Sequence, residues 1–250
     1  MRNTKTPSYV KELHLLRNKV TSFEEYPFSL PVVRNLDSLK LHPKVTFFVG
    51  ENGSGKSTLL EAMAAVWGFN PEGGSRNFRF STRESHSELD AFLRLSKSHV
   101  RPKDGFFLRA ESFFNVATEI ENLDAHPGGP PIINSYGYTS LHKQSHGESF
   151  FALLMHRFFG QGFYILDEPE AALSPMRQMA MLSRIHDLVE ENSQFIIATH
   201  SPIIMAYPDA QIYVISDTGL TATPYEETEH YRVTKDFLNK PGKMLSILMD

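Results

Sequence analysis

Gly50–Ala62 reads GENGSGKSTLLEA, and this stretch decides the fold. It fits the pattern G-x-x-x-x-G-K-[ST] through Gly50, Gly55, Lys56 and Ser57. Glycines there let the backbone turn tightly enough to aim successive N–H groups at a β-phosphate. A helix that follows directs its positive dipole end to the same place. Lys56 supplies a point charge near the β- and γ-phosphates, and the Ser57 hydroxyl is placed to ligate Mg²⁺. Glu51, Asn52, Gly53, Ser54 and Thr58 complete the candidate nucleotide-binding set. A plain glycine-rich turn would share this composition, but its flanks would differ. KVTFFVG, just before, is a short apolar run that suits a buried parallel strand, and KSTLLEAMAAVWG carries apolar residues at helical spacing up to Gly68.

Further along, the same alternation of strand and helix recurs. SFFALLMHRFF reads as a buried helix, and GFYILDEPE as a buried strand ending in acids. SPMRQMAMLSRIHDLVEEN is an amphipathic helix opened by Ser174 and Pro175. QFIIATHSP is a third buried strand and QIYVIS a fourth. This order predicts a mostly parallel α/β sheet, whose ligands sit at the carboxyl ends of the strands. At the N-terminus, SYVKELHLLRN and PFSLPVV read as early strands, and SELDAFLRLS suits a helix. The C-terminal TPYEETEHYRVTKDFLNKPGKMLSILMD suits one or two helices.

Composition narrows the class. The chain has 250 residues, 41% of them hydrophobic, enough for one large domain or a domain with a small lobe. No apolar run reaches the roughly 18–20 residues of a membrane helix. The N-terminal MRNTKTPSYVKELHLL lacks the continuous apolar stretch of a signal peptide, so a cytoplasmic protein without stable membrane insertion is expected. The absence of cysteine excludes disulfides and thiolate-metal sites. A net charge of −4 does not advertise nucleic acid, although a local patch can still bind it. Such a patch is suggested by Arg76, Arg79, Arg83, Arg94, Lys97, Arg101, Lys103 and Arg109; a solvated surface is the alternative.

Two strand ends carry further chemistry. Asp167 and Glu168 stand where a buried strand stops, with Pro169 fixing the turn. Asp167 is a candidate to hold Mg²⁺, and Glu168 to polarise the water that attacks a γ-phosphate. His200 ends the next strand, where an imidazole can hydrogen-bond that phosphate. Upstream, Ser145 and Glu148 form the S-x-x-E capping box of the apolar helix. With Gly147 they leave free N–H groups at a helix start, where a phosphate from a second subunit can dock.

In order, GENGSGKST, SHGES, YILDEPEAALS and ATHSP resemble the ABC-type ATPase superfamily over roughly residues 10–215. There the corresponding stretches are the Walker A motif, the signature motif, Walker B with its D-loop, and the H-switch. The resemblance implies a P-loop NTPase fold (the ABC ATPase fold) in a single domain over 1–250. It has an antiparallel N-terminal β part and a small helical lobe at about 70–145. It implies ATP and Mg²⁺ as ligands, with Lys56 and Ser57 on phosphate and metal, Asp167 supporting the metal, Glu168 as base and His200 on the γ-phosphate. Ser145, Gly147 and Glu148 would cover the nucleotide of the opposite protomer, and Ala171 to Ser174 would form the D-loop across a head-to-tail homodimer. The implied activity is ATP hydrolysis that drives this dimerisation.

This sequence departs from the family pattern in two places. The usual LSGGQ is QSHGES here, with His146 where a glycine is common. No Q-loop glutamine is evident in FFLRAESFF, where Glu111 is the nearest polar candidate and Arg109 reads equally as a structural ion-pair residue. The DEPEAALSP stretch looks more like the stand-alone and DNA-repair branch (RecF, SMC and overcoming-lysogenization-defect ATPases) than like transporters. About 85 residues separate Thr58 from Ser145 without heptads, which leaves no room for coiled-coil arms. The expected task is a switch in a DNA-repair- or defence-linked process with a DNA or protein partner; the alternative is the nucleotide-binding subunit of an ABC transporter. Arg17, Lys19, Phe23 and Tyr26 are candidates for the adenine contact.

Overall fold

The computed structural model describes residues 8–75, 87–110, 113–124, 133–134 and 146–249. Ser145, Glu111, Arg76, Arg79 and Arg83 lie outside these residues.

The chain opens with strand β1 (Val10–Leu15), a short helix α1 (Pro31–Arg34) and strand β2 (Ser38–Lys40). Strand β3 (Val45–Val49) leads through the glycine-rich loop into helix α2 (Lys56–Trp67). Strands β4 (Leu93–Lys97) and β5 (Asp104–Arg109) precede helices α3 (Phe113–Asp124) and α4 (His146–His156). Then come β6 (Gly162–Asp167), α5 (Pro175–Glu190), β7 (Gln194–Ala198) and the short α6 (Pro202–Met205). Strands β8 (Gln211–Ser216) and β9 (Gly219–Ala222) form a hairpin before helices α7 (Glu229–Asn239) and α8 (Pro241–Met249).

Six strands form one sheet in the order β5-β6-β7-β3-β8-β9, parallel except for the last pair. Parallel strands are covered on both faces, which is why β3, β6 and β7 are buried at every position. Side chains alternate along β3. Val45, Phe47 and Val49 join a core with Phe150, Leu154, Met181 and Ile185 of α4 and α5. Phe48 faces the opposite core with Leu59, Leu60 and Met63 of α2. A second, antiparallel sheet of order β2-β1-β4 closes over α2.

The fold is therefore an α/β fold with a mostly parallel sheet and an antiparallel N-terminal part, as the motif order implied. Three local expectations fail. PFSLPVV is not a strand: Pro31 occupies the first turn of α1, where its missing N–H costs nothing. SELDAFLRLS is one 3-10 turn, Glu88–Phe92, followed by β4, because Leu93 to Lys97 pair with β1. The span 70–145 is not wholly a lobe either, since β4 completes the antiparallel sheet and β5 is an edge strand of the main sheet.

Candidate active site

The loop after β3 turns at Gly53 (φ 81°) and Gly55 (φ 94°), both in the left-handed region that glycine tolerates. α2 begins at once with Lys56, which is buried to 4% exposure. Its Nζ donates to the carbonyls of Gly50 (2.9 Å) and Glu51 (3.0 Å), curling the loop around its own cation. Burial lowers the Lys56 pKa, against the pull of Glu168, Asp167 and Glu170. A hollow of about 390 Å³ opens over this loop, lined by Asn52, Gly53, Gly55, Lys56, Ser57, Thr58 and Glu168, with Tyr26 and Leu30 at its rim.

Two strands away, β6 delivers its acids to the same place. Ser57 Oγ donates to Asp167 Oδ1 at 3.2 Å, joining residues 110 positions apart. Asp167 is 3% exposed, and burial pushes its pKa up to about 7. Ser57 and Arg109 act in the opposite direction, and Glu168 and Glu61 add to the rise. Arg109, at the end of β5, reaches Asp167 Oδ2 at 3.6 Å and Glu61 Oε1 at 2.6 Å. Of its two readings, the ion-pair one holds, and Arg109 leaves the basic run. Within that run Lys97 lies over the Trp67 ring at 4.6 Å, while Arg94, Arg101 and Lys103 are exposed.

Glu168 follows in a left-handed conformation (φ 49°), strained for a residue with a side chain. Its N–H is fixed by the carbonyl of Ala198, at the end of β7. Its Oε1 lies 3.4 Å from His200 Nε2, so the acid and the imidazole face each other across adjacent strand ends. Burial and Lys56 lower the His200 pKa, with Glu168 opposing. The His200 backbone N–H donates to Glu170, whose own pKa is raised by burial.

Gly147 and Glu148 lie in the first turn of α4, beside the turn that follows Glu168. A Cβ at Gly147 would run into the Ala172 carbonyl, so a glycine is needed for α4 to approach the 3-10 turn Pro169–Ala172. Glu148 pairs with Arg177 at 3.6 Å. Ser174 caps α5 by accepting from the Arg177 N–H. Among the adenine candidates, Arg17 stacks on Phe23 (4.2 Å) and pairs with Asp37, Lys19 is exposed, and only Tyr26 borders the hollow.

These residues fit a magnesium-bound nucleotide. Ser54 Oγ, within the loop, is buried without a hydrogen-bond partner among the described residues. Asp167 and Ser57 offer the hard oxygen donors that Mg²⁺ takes, too few alone, so phosphate oxygens and water would complete the shell. Among the described residues no three His, Asp or Glu side chains gather into a self-sufficient metal site. Sequence reading missed Glu61, Glu170 and His230. Glu61 was within reach of it, being one helical turn beyond Ser57 on α2, and Glu170 ends the acidic YILDEPE stretch; His230 carries no local signal.

A family model described as an AAA ATPase domain matches residues 81–205, and one described as an AAA domain matches residues 22–127. The chain is similar to the DNA replication and repair protein RecF of Colwellia psychrerythraea, with 49% identity over 64 residues, covering 24% of this chain and 15% of that protein. It is also similar to the macrolide export ATP-binding/permease protein MacB of Marinobacter nauticus, with 24% identity over 233 residues, covering 82% of this chain and 34% of that protein. The chain thus spans about a third or less of the length of these relatives. Among solved structures, cbiO1 from Clostridium perfringens, part of the ABC transporter complex cbiONQ, superposes with a TM-score of 0.51 at 17% identity, covering 97% of this chain and 99% of that one. That likeness shows the fold. No helix among the described residues is long and apolar enough to cross a membrane.

Proposed function

The chain belongs to the AAA ATPase domain family, and from that premise we propose that it binds Mg²⁺-ATP over the Gly50–Thr58 loop and hydrolyses the γ-phosphate there. The observation that carries this reading is the Ser57–Asp167 contact with Glu168 and His200 beside it, four side chains from three separate segments at the carboxyl end of the sheet. Lys56 leaves its two carbonyls for the phosphates. Ser57 and Asp167 would hold Mg²⁺, which would supply neutralising charge for the phosphate oxygens. Glu168 accepts the proton of the attacking water as the bond to the β-phosphate oxygen breaks, releasing ADP. His200 Nε2 donates to the γ-phosphate. Tyr26, 63% exposed at the rim, offers its ring to adenine.

The start of α4 at Gly147 and Glu148 covers the nucleotide of a second copy, so that two ATP molecules close a homodimer. The switch serves a DNA-linked process, a reading supported by the RecF match and the exposed Arg94, Arg101 and Lys103. A transporter subunit is the second reading, favoured by the longer MacB match, and co-purification with an integral membrane protein separates the two.

The test is steady-state turnover of the full chain. Glu168→Gln is expected to lower kcat by about 10²–10³-fold while ATP still binds, and with ATP and Mg²⁺ to run at twice the 28.4 kDa chain mass. A Glu168→Gln variant as fast as the wild type rejects the assigned base. Linear double-stranded DNA at low salt is expected to raise wild-type turnover; indifference removes the DNA reading and leaves the ATPase.

A further inference from the structure

Helix α7 enters the site from outside the four sequence motifs. Its second residue, His230, places Nε2 3.1 Å from His200 Nδ1, with the ring centroids 5.3 Å apart. The approach is braced. Thr228 is buried, caps α7 by accepting from Tyr231 N–H, and donates to the Tyr225 carbonyl at 2.7 Å. Tyr225 in turn donates its hydroxyl proton to the Pro202 carbonyl, two residues beyond His200. The start of α7 is thereby tied to the same strand end that carries His200.

A neutral imidazole carries one proton on two nitrogens, and its partner decides which. His200 Nε2 is buried and faces the Glu168 carboxylate at 3.4 Å. A proton on Nε2 suits that carboxylate, and a lone pair there would oppose it. With the proton on Nε2, Nδ1 must accept, and the group that meets it is His230 Nε2. We propose that His230 is a positioning residue that donates to His200 Nδ1 and so holds His200 as the Nε2-protonated tautomer, ready to donate to an anion. Four charged groups face the pair: Lys56 from α2, Glu168 and Glu170 from the turn after β6, and Glu229 on α7. Burial lowers the pKa of both rings, and Lys56 acts in the same direction, which favours the neutral pair.

The kinetic consequence rests on the ATPase reading above; the tautomer does not. The experiment therefore has two arms on the full chain. In the first, ¹⁵N-histidine-labelled protein at neutral pH reports by two-bond ¹H–¹⁵N correlations which nitrogen of His200 is protonated, with His200→Ala assigning the signal. Nε2–H is expected in the wild type, and a mixture or Nδ1–H in His230→Phe. Nδ1–H in the wild type, or an unchanged tautomer in His230→Phe, overturns the proposal whether or not the protein hydrolyses ATP. In the second, His230→Phe is expected to lower kcat about ten- to a hundredfold with KM within about twofold. His230→Gln, whose amide keeps a donor at similar reach, is expected to recover most of the rate and the wild-type pH profile. Where the wild type turns ATP over, an equal rate in His230→Phe overturns the proposal. Should phenylalanine unfold α7, His230→Asn, too short to reach Nδ1, replaces it in both arms.

Discussion

Gly55 shows how tightly single residues are held at the phosphate loop. Its φ of 94° is left-handed, and a Cβ there would sit 2.7 Å from Val32 Cγ1 of α1. Gly55→Ala meets both penalties at once. We predict a stability loss of about 1–3 kcal/mol and at least tenfold weaker ATP binding by calorimetry; wild-type affinity would show that the loop tolerates the side chain. His42, before the opposite end of β3, is a second tightly held residue. Its Nδ1 faces the N–H groups of Lys44 and Val45 at 3.3 and 3.4 Å, and its pKa is lowered by burial and by Lys44, with Asp209 opposing. Protonation is thus harder in the folded than in the unfolded chain. The stability His42 contributes is complete above the ordinary value near 6.5 and is lost as pH falls through the lowered folded value. The melting temperature is expected to fall as the pH drops below the ordinary histidine value, and to fall less steeply in His42→Asn. Identical slopes would assign the acid sensitivity to other groups.

At the scale of elements, side chains tie the two sheets together: the Tyr213 hydroxyl of β8 donates to the Lys40 carbonyl of β2, and one residue of β7 makes four such bonds. Gln194, the first residue of β7, is fully buried. Its Oε1 accepts from the N–H groups of Tyr9 (2.9 Å) and Val10 (3.0 Å), and its Nε2 donates to the carbonyls of Val10 (2.8 Å) and His42 (2.9 Å). Gln194→Leu keeps the bulk but strands two donors and two acceptors. We predict a loss of at least about 3 kcal/mol, read as a lower urea midpoint; an unchanged midpoint would mean that β1 is held by other contacts. The same residue marks the limit of sequence reading. GENGSGKST and YILDEPE were legible because their chemistry is carried by adjacent residues on a strand end, and the neighbouring apolar runs name the strands. Gln194 and His230 were not legible, because their partners lie 184 and 30 positions away and only the finished fold brings them together. SELDAFLRLS failed for a related reason: its apolar spacing suits a helix, yet pairing with β1 overrides local preference.

Over the whole molecule, the chemistry hangs from neighbouring strands. β3 carries the phosphate loop, β7 carries His200, and β6 carries Asp167 and Glu168, with β7 in the middle. The parallel register sets Phe48 beside Ala198 and Asp167 beside Ala198, so one residue of β7 aligns both flanking strand ends. These pairings join the first fifth of the chain to the fourth, Val45 to Phe195 for example. Long-range parallel pairing is slow, because a large loop must close before any contact rewards it. A nascent or partly folded chain therefore carries the complete GENGSGKST sequence without Asp167 or His200 beside it. In refolding experiments, recovery of tight Mg²⁺-ATP binding is expected to follow the slowest phase of far-ultraviolet dichroism; binding that returns earlier would place the nucleotide on the loop alone. Since a ligand that binds only the assembled state stabilises it, ATP would act on this protein first as a late checkpoint of its own assembly, before any turnover begins.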